Sequence, residues 1–292
     1  AQKRLHQQLI QALGFDLQTG RMDEAPHPFT VGVGPGDVRL TTRYAEAEFL
    51  HGLTATIHET GHGLYEQGLP HQWRGTYVDS AASVGLHESQ SRFWENFIGR
   101  SEAFFSWFQG PIADCLGAVD FSVADLYSGA NRVAPGLIRV TADEVTYNLH
   151  ILLRFEIERA LFTGDLPVED LSVVWNEKMR DYLGIEPPND RDGVLQDIHW
   201  SHGSFGYFPT YALGNLYAAQ FFDTITKEMP DLMDRIARGN LLPIREWLRD
   251  RIHCLGMTHR AKDLAIHVTG NPLNADHFVN YLNEKFSDLY GV

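Results

Sequence analysis

Two histidines and a glutamate that could support metal chemistry lie within five residues, His58-Glu59-Thr60-Gly61-His62. Residues four apart project from one face of an α-helix, so His58 and His62 can ligate one metal ion. The Glu59 carboxylate lies about 100° round the helix and reaches beside that ion, where it can accept a proton from water. The spacing therefore predicts metal-assisted hydrolysis with Glu59 as general base.

This pattern is the HExxH motif of zinc metallopeptidases. In a chain with 14 histidines it could also arise by chance, and it would then be a helix with two exposed or hydrogen-bonded histidines. The neighbouring apolar residues Ile57 and Leu64 indicate a partly buried helix. Buried paired histidines need polar partners, and a metal ion is the natural one. We therefore favour the zinc site.

Catalytic zinc takes three protein ligands and keeps one position open. Glu66 is on the same helix face, but about 12 Å along the axis from His58, which is too far for both to ligate. Glu88 fits if a second helix folds back towards the first. His87 is its rival, and adjacent helical residues diverge by about 100°, so only one of the two should face the metal. We expect Glu88 to be the third ligand.

Most of the chain has the apolar spacing of α-helices, which predicts one mainly α domain over residues 1–292. The HExxH motif lies in a helix predicted from about Glu46 to Gln67 and ended by Gly68 and Pro70. The alternation over residues 37–44 predicts a strand. Further helices are predicted over residues 84–108, ended by Gly110-Pro111, over residues 138–162, closed by Gly164, and over residues 171–182.

Composition excludes several classes of protein. The net charge of -14 argues against a nucleic-acid surface. Cys115 and Cys254 do not form the pattern of a disulfide framework, which favours a reduced, intracellular setting. The long apolar stretch over residues 205–222 is interrupted by glycine and proline, so it does not predict a membrane span. The expected location is the cytoplasm, with no membrane partner.

Six motifs, in this order, resemble the carboxypeptidase Taq (M32) family: His27-Pro28-Phe29, Asp37-x-Arg39-x-Thr41, His58-Glu59-Thr60-Gly61-His62, His87-Glu88-Ser89-Gln90, Ile138-Arg139-x-x-Ala142-Asp143 and Gly193-Val194-Leu195-Gln196-Asp197-Ile198-His199-Trp200. The likeness runs from about Gly14 to Gly291. It implies a zincin-like, gluzincin-type helical domain with a small β-sheet beside the HExxH helix. It also implies release of C-terminal amino acids from peptides, a zinc ion or another divalent metal such as cobalt, and a homodimer.

Members of that family usually carry a longer N-terminal helical region, so we expect a domain that is short or truncated at its N-terminus. The alternative function is a catalytically weak module that binds a metal and peptides but lacks the part that forms the substrate groove. A third option is an endopeptidase with an opened cleft.

The resemblance suggests His199, Tyr207 and Tyr211 as donors to the oxyanion, although an aromatic segment with Gly and Pro is often core. A free C-terminal carboxylate is best matched by a bidentate arginine, and Arg139 and Arg39 lie in matching motifs. His27 could line the same subsite. The competing interpretation is structural ion pairing, Arg39 with Asp37 or Arg139 with Asp143. Ser89, Asp143 and Asp197 are candidates for orienting the metal ligands.

Overall fold

The computed structural model of the chain describes residues 1–34, 36–45, 48–117 and 120–292. The chain forms two compact units. The first comprises Ala1–Ala130 and Gly214–Val292, and the second comprises Asn131–Leu213. The single catalytic domain expected over residues 1–292 stays a prediction.

Helices make up most of the described residues, so the mainly α fold class is confirmed. The elements in chain order are α1 (Gln2–Ala12), β1 (Gly20–Glu24), β2 (Thr30–Gly34), β3 (Asp37–Thr42), α2 (Phe49–Gly68), α3 (Val84–Arg92), α4 (Glu102–Leu116), α5 (Val123–Ala130), α6 (Tyr147–Thr163), α7 (Leu171–Leu183), α8 (Pro209–Glu228), α9 (Leu232–Ala237), α10 (Leu242–Arg251), α11 (Ala261–Thr269) and α12 (Asp276–Tyr290). In these ranges and the other described residues, no helix is long and apolar enough to cross a membrane.

A three-stranded sheet in the first unit has β3 at its centre. β3 pairs parallel with β1 and antiparallel with β2, so β2 is an edge strand. Val38 and Leu40 of β3 are buried while Arg39 between them is exposed, which is the alternation that predicted this strand. The strand ends at Thr42, two residues earlier than predicted.

Helix α2 carries the HExxH motif and packs between the sheet and α3. A Cβ atom on Gly61 would lie 2.5 Å from the carbonyl oxygen of Gln90 in α3. A Cβ atom on Gly63 would lie 2.8 Å from both Leu40 and Phe15. The two glycines therefore allow close approach on the two sides of α2. The predicted end of the helix near Gly68 is confirmed, and the predicted start at Glu46 lies outside the described residues.

The single helix predicted over residues 84–108 is wrong. α3 ends at Arg92, a π-helical segment covers Phe93–Gly99, and α4 begins at Glu102. The Ser101 side chain accepts a hydrogen bond from the backbone N–H of Phe104 at 3.1 Å, which is the geometry of a helix N-cap. The apolar spacing runs through this break, so periodicity did not reveal it.

The predicted stop at Gly110-Pro111 is also wrong, because α4 continues through Pro111 to Leu116. A proline inside a helix removes one backbone hydrogen bond and costs about 3 kcal/mol. Phe108 and Ile112, on either side of the proline, are buried in the core. Burial of these side chains offsets the cost of the proline.

In the second unit, the helix predicted over residues 138–162 begins later, at Tyr147. A 3₁₀ turn forms over Arg139–Thr141, and the Asp143 carboxylate then accepts hydrogen bonds from the backbone N–H groups of Val145 and Thr146. These hydrogen bonds hold the turn that directly precedes α6. The predicted end at Gly164 is confirmed, with a left-handed φ of 82°. The helix predicted over residues 171–182 is α7.

The close approach at Gly61 gives a testable prediction about stability. We expect Gly61→Ala to lower the free energy of unfolding by about 1–3 kcal/mol, since the new methyl group would overlap the α3 backbone. Gly110→Ala in α4 is the matched control, because nothing lies within 4 Å of its Cβ position. There alanine should be neutral or stabilising by up to about 1 kcal/mol. Urea denaturation measures both, and equal effects would contradict the packing argument.

Candidate metal centre

The three predicted ligands converge. Glu88 Oε2 lies 3.2 Å from His62 Nε2 and 3.8 Å from His58 Nε2. One ligand atom from each residue lies within 4.8 Å of the others, and no comparable group of His, Cys, Asp or Glu exists elsewhere in the described chain. Ligands about 2.1 Å from a tetrahedral zinc ion stand about 3.4 Å apart. The donor set and its spacing therefore fit a divalent metal ion.

Glu88 is held so that one carboxylate oxygen faces the histidines. Its Oε1 accepts a hydrogen bond from Arg92 Nε at 2.9 Å, which leaves Oε2 directed at the imidazoles. A Cβ atom on Gly214 would lie 2.4 Å from Glu88 Cγ, so α8 must carry glycine there. Burial opposes ionisation, but the charges of His58 and Arg92 outweigh it and hold the pKa of Glu88 well below its usual range.

His58 is oriented by a carboxylate that sequence reasoning missed. His58 Nδ1 lies 2.8 Å from Glu95 Oε2, and Glu95 is held by Arg92 and Arg100. An ionised carboxylate only accepts hydrogen bonds, so Nδ1 carries the proton and Nε2 presents its lone pair. Burial favours a neutral His58, but Glu88 and Glu95 together raise its pKa. The signal in the sequence is Glu95 lying two helical turns after Glu88.

His62 has a different partner. Its Nδ1 lies 2.6 Å from His87 Nδ1, and His87 Nε2 lies 2.7 Å from Glu66 Oε1. Burial, followed by the neighbouring His87 and His58, lowers the pKa of His62. Neither His87 nor Glu66, the alternative ligands suggested by the sequence, belongs to the group formed by His58, His62 and Glu88.

Glu59, the expected general base, is anchored to the edge strand of the sheet. The Thr30 hydroxyl in β2 lies 2.7 Å from Glu59 Oε2 and 2.9 Å from the Glu59 backbone carbonyl oxygen. Glu59 as a whole residue is 9% exposed, so it is buried rather than in open solvent. Thr30 was not identified from the sequence, because nothing in its local pattern shows which helix residue it faces.

In the second unit, four of the predicted substrate-handling residues lie together. Tyr211 OH is 3.0 Å from His199 Nε2, and the Arg139 guanidinium lies 4.8 Å from the centre of the Tyr211 ring. The Tyr207 ring centre lies 5.4 Å from that of His199. Burial and the charge of Arg139 lower the pKa of His199. This cluster places an imidazole, two phenols and a guanidinium in one region.

Arg139 forms a buried ion pair. Its Nε and Nη2 donate to Asp197 Oδ1 at 3.0 and 2.7 Å, and Arg154 Nε donates to the other oxygen at 2.7 Å. The suggested pair of Arg139 with Asp143 is therefore wrong, and Asp143 instead bonds to the turn that precedes α6. Burial opposes ionisation of Asp197, but Arg154 and Arg139 lower its pKa. Burial is also the main reason that the pKa of Arg154 falls to about 10.

The remaining predicted residues lie in the first unit. Arg39 is exposed and forms a bidentate pair with Asp37 at 2.9 and 2.8 Å, as the competing interpretation expected. His27 is exposed, and its carbonyl oxygen accepts a hydrogen bond from the Thr41 hydroxyl. Ser89 donates its hydroxyl hydrogen bond to the Leu86 carbonyl oxygen within α3 rather than to a metal ligand.

Two histidines from one helix and a glutamate from a second helix form a group that could hold a divalent metal ion, and this donor set is of the kind used by metallopeptidases. A model of the carboxypeptidase Taq (M32) metallopeptidase family matches residues 1–286, and the chain belongs to this family. The family resemblance inferred from the six motifs is therefore confirmed.

Characterised relatives are carboxypeptidases. The chain is 51% identical over 292 residues to thermostable carboxypeptidase 1 of Thermus thermophilus, covering 100% of this chain and 57% of that protein. It is 44% identical over 291 residues to carboxypeptidase 1 of Bacillus subtilis, covering 99% of this chain and 58% of that protein. The chain thus spans a little over half the length of the curated relatives it matches.

Solved structures agree with the fold. The M32 carboxypeptidase from Deinococcus radiodurans R1 superposes with a TM-score of 0.97 at 39% identity, over 100% of this chain and 59% of that chain. A carboxypeptidase from Pyrococcus furiosus superposes with a TM-score of 0.95 at 41% identity, over 97% and 57% of the two chains. The zincin-like helical fold with a small sheet is confirmed.

The ion pair in the second unit generates a prediction about stability. Asp197→Asn leaves the buried Arg139 and Arg154 without a counter-charge, so we expect the free energy of unfolding to fall by about 3–5 kcal/mol at pH 7. Asp37→Asn breaks an exposed pair and should cost less than about 1 kcal/mol. Urea denaturation of the parent chain and of both variants measures these differences in the free energy of unfolding.

The difference in free energy of unfolding between the parent chain and Asp197→Asn should depend on pH. Folding lowers the pKa of Asp197, so its stabilisation is complete above the ordinary Asp range near pH 4 and is lost as the pH falls through the folded value. The gap between the parent chain and Asp197→Asn should narrow on acidification. A gap that is small at pH 7, or that widens in acid, would contradict this account.

Proposed function

We propose that this chain carries the catalytic centre of a zinc-dependent metallocarboxypeptidase that releases C-terminal amino acids from peptides. The observation that supports this most strongly is the convergence of His58, His62 and Glu88, with Glu59 on the same helix, in a member of the M32 family. Zinc is the proposed ion because imidazole and carboxylate donors at this spacing suit it, and cobalt or another divalent ion is the alternative.

The proposed catalytic step assigns the proton transfers to Glu59. When bound, a divalent ion supplies Lewis-acid chemistry, polarising a peptide carbonyl and acidifying water. The Glu59 carboxylate accepts the proton from the attacking water and passes it to the leaving amine. The hydrogen bond from Thr30 limits the rotation of this carboxylate and so keeps it available for both transfers.

Substrate recognition is assigned to the second unit. We propose that His199, Tyr207 and Tyr211 donate to the developing oxyanion, and that Arg139 supplies the positive charge for the substrate carboxylate. Arg139 is 5% exposed and anchored by Asp197, so it is fixed in place before any substrate binds. Arg39 and His27 remain candidates for binding the substrate carboxylate. The homodimer and the cytoplasmic location stay predictions.

The decisive experiment combines metal analysis with a peptide assay. The full 292-residue chain is incubated with N-blocked peptides whose C-termini are either free or amidated, with and without a chelator. A carboxypeptidase should contain one zinc ion per chain, cleave only the free form, and lose activity on chelation. Equal cleavage of both peptides would indicate an endopeptidase. Bound zinc without hydrolysis would favour the metal-binding or peptide-binding module.

Glu59→Gln tests the general base directly. We expect this variant to keep zinc, because the ligands are unchanged, and to lose about 10²-fold or more in kcat, because an amide cannot accept the proton. Glu169→Gln on the exposed surface is the matched control and should leave kcat unchanged. If Glu59→Gln hydrolyses peptides at the parent rate, Glu59 has no part in proton transfer.

A further inference from the structure

The two histidine ligands are supported in different ways. His58 is bonded directly to the carboxylate of Glu95, whereas His62 is bonded to a second imidazole, His87, which is bonded in turn to Glu66. A chain of two hydrogen bonds, 2.6 and 2.7 Å long, thus joins the Glu66 carboxylate to a candidate metal ligand. Neither His87 nor Glu66 has a role in the proposed chemistry.

Proton positions along this chain follow from one requirement. His62 Nε2 faces Glu88, so a metal held by these residues would take the Nε2 lone pair, and the ring proton of His62 would then be on Nδ1. That N–H can only be satisfied if His87 Nδ1 accepts it, which places the His87 proton on Nε2. The Nε2–H group then needs an acceptor, and the Glu66 carboxylate, which only accepts, lies 2.7 Å away.

We propose that His87 and Glu66 are positioning residues that fix the metal-ligating tautomer and ring orientation of His62 through two successive hydrogen bonds. This proposal rests on the proposed function and adds two supporting residues to its metal site. Metal-binding histidines usually pass their second N–H to a carboxylate or carbonyl group, and loss of that partner typically costs 10–100-fold in metal affinity. Here the imidazole of His87 extends the reach of the carboxylate.

The surroundings keep this chain in place. The His87 ring centre lies 4.7 Å from that of His62 and 5.3 Å from that of Tyr65, so aromatic contacts position the bridging ring. A Cβ atom on Gly32 of β2 would lie 2.5 Å from Glu66 Oε2, so glycine at this position gives the carboxylate its space. The sheet and α3, which lie on either side of α2, therefore hold the hydrogen-bonded chain from Glu66 through His87 to His62 in place.

The test measures zinc affinity without substrate. His87→Phe keeps a ring between Tyr65 and His62 but removes both hydrogen bonds, and Glu66→Gln lets the amide donate as well as accept, so the tautomer is no longer imposed. In competition with a chelator of known affinity, each variant of the full chain should bind zinc about 10–100-fold more weakly than the parent. His71→Phe is the matched control, since it breaks an exposed His71–Asp79 pair at 3.1 Å, and it should bind zinc like the parent.

Two further measurements separate positioning from structural damage. The melting temperature of each metal-free variant should match the parent closely, since the proposed effect is on the ligand and not on folding. The double variant should lose no more affinity than the weaker-binding single variant, because the two residues act in series.

Three results would overturn the proposal. The first is zinc affinity within two-fold of the parent in both single variants. The second is a loss of zinc affinity in the double variant equal to the sum of the two single losses. The third is a loss of zinc affinity that correlates with a lower melting temperature of the metal-free variant. A parent chain that binds no zinc would instead refute the metal centre of the proposed function, so the two failures are distinguishable.

Discussion

The contact between α2 and α3 is the constraint on which the candidate metal centre depends. Two ligands come from α2 and the third from α3, and ligand atoms must stand within a few ångström of one another to share an ion. Gly61 lets the backbone of α3 approach α2, and Gly214 in α8 leaves space for the Glu88 side chain. Two glycines, Gly61 and Gly214, therefore allow the three ligands to come close enough to share one ion.

Charge balance around the ligands also favours a divalent cation. Four carboxylates and two guanidinium groups belong to the site or bond to its ligands, directly or through one residue: Glu59, Glu66, Glu88, Glu95, Arg92 and Arg100. Acidic side chains therefore outnumber basic ones by two around these ligands. An excess of acidic side chains beside two imidazoles is compensated by a cation, and a divalent ion matches it.

The parts of this structure that could be predicted from sequence are those set by local spacing. The HExxH helix, the strand that begins at Asp37 and the helix ends at Gly68 and Gly164 follow from periodicity and glycine. Contacts between distant segments could not be predicted this way. Arg139 meets Asp197 rather than the nearby Asp143, and Thr30 meets Glu59 from another element. The π-helical segment before Ser101 was hidden because its apolar spacing remains helical.

His87 and Glu88 show how adjacent residues on α3 contribute to one site. The divergence of about 100° between neighbours means that only one of them can face the metal position. The same divergence brings Glu88 Oε2 to within 3.2 Å of His62 Nε2 and His87 Nδ1 to within 2.6 Å of His62 Nδ1. Two adjacent residues of α3 thus contact both ring nitrogens of His62, Glu88 at Nε2 and His87 at Nδ1. The geometry that prevents His87 from being a ligand is what lets it orient one.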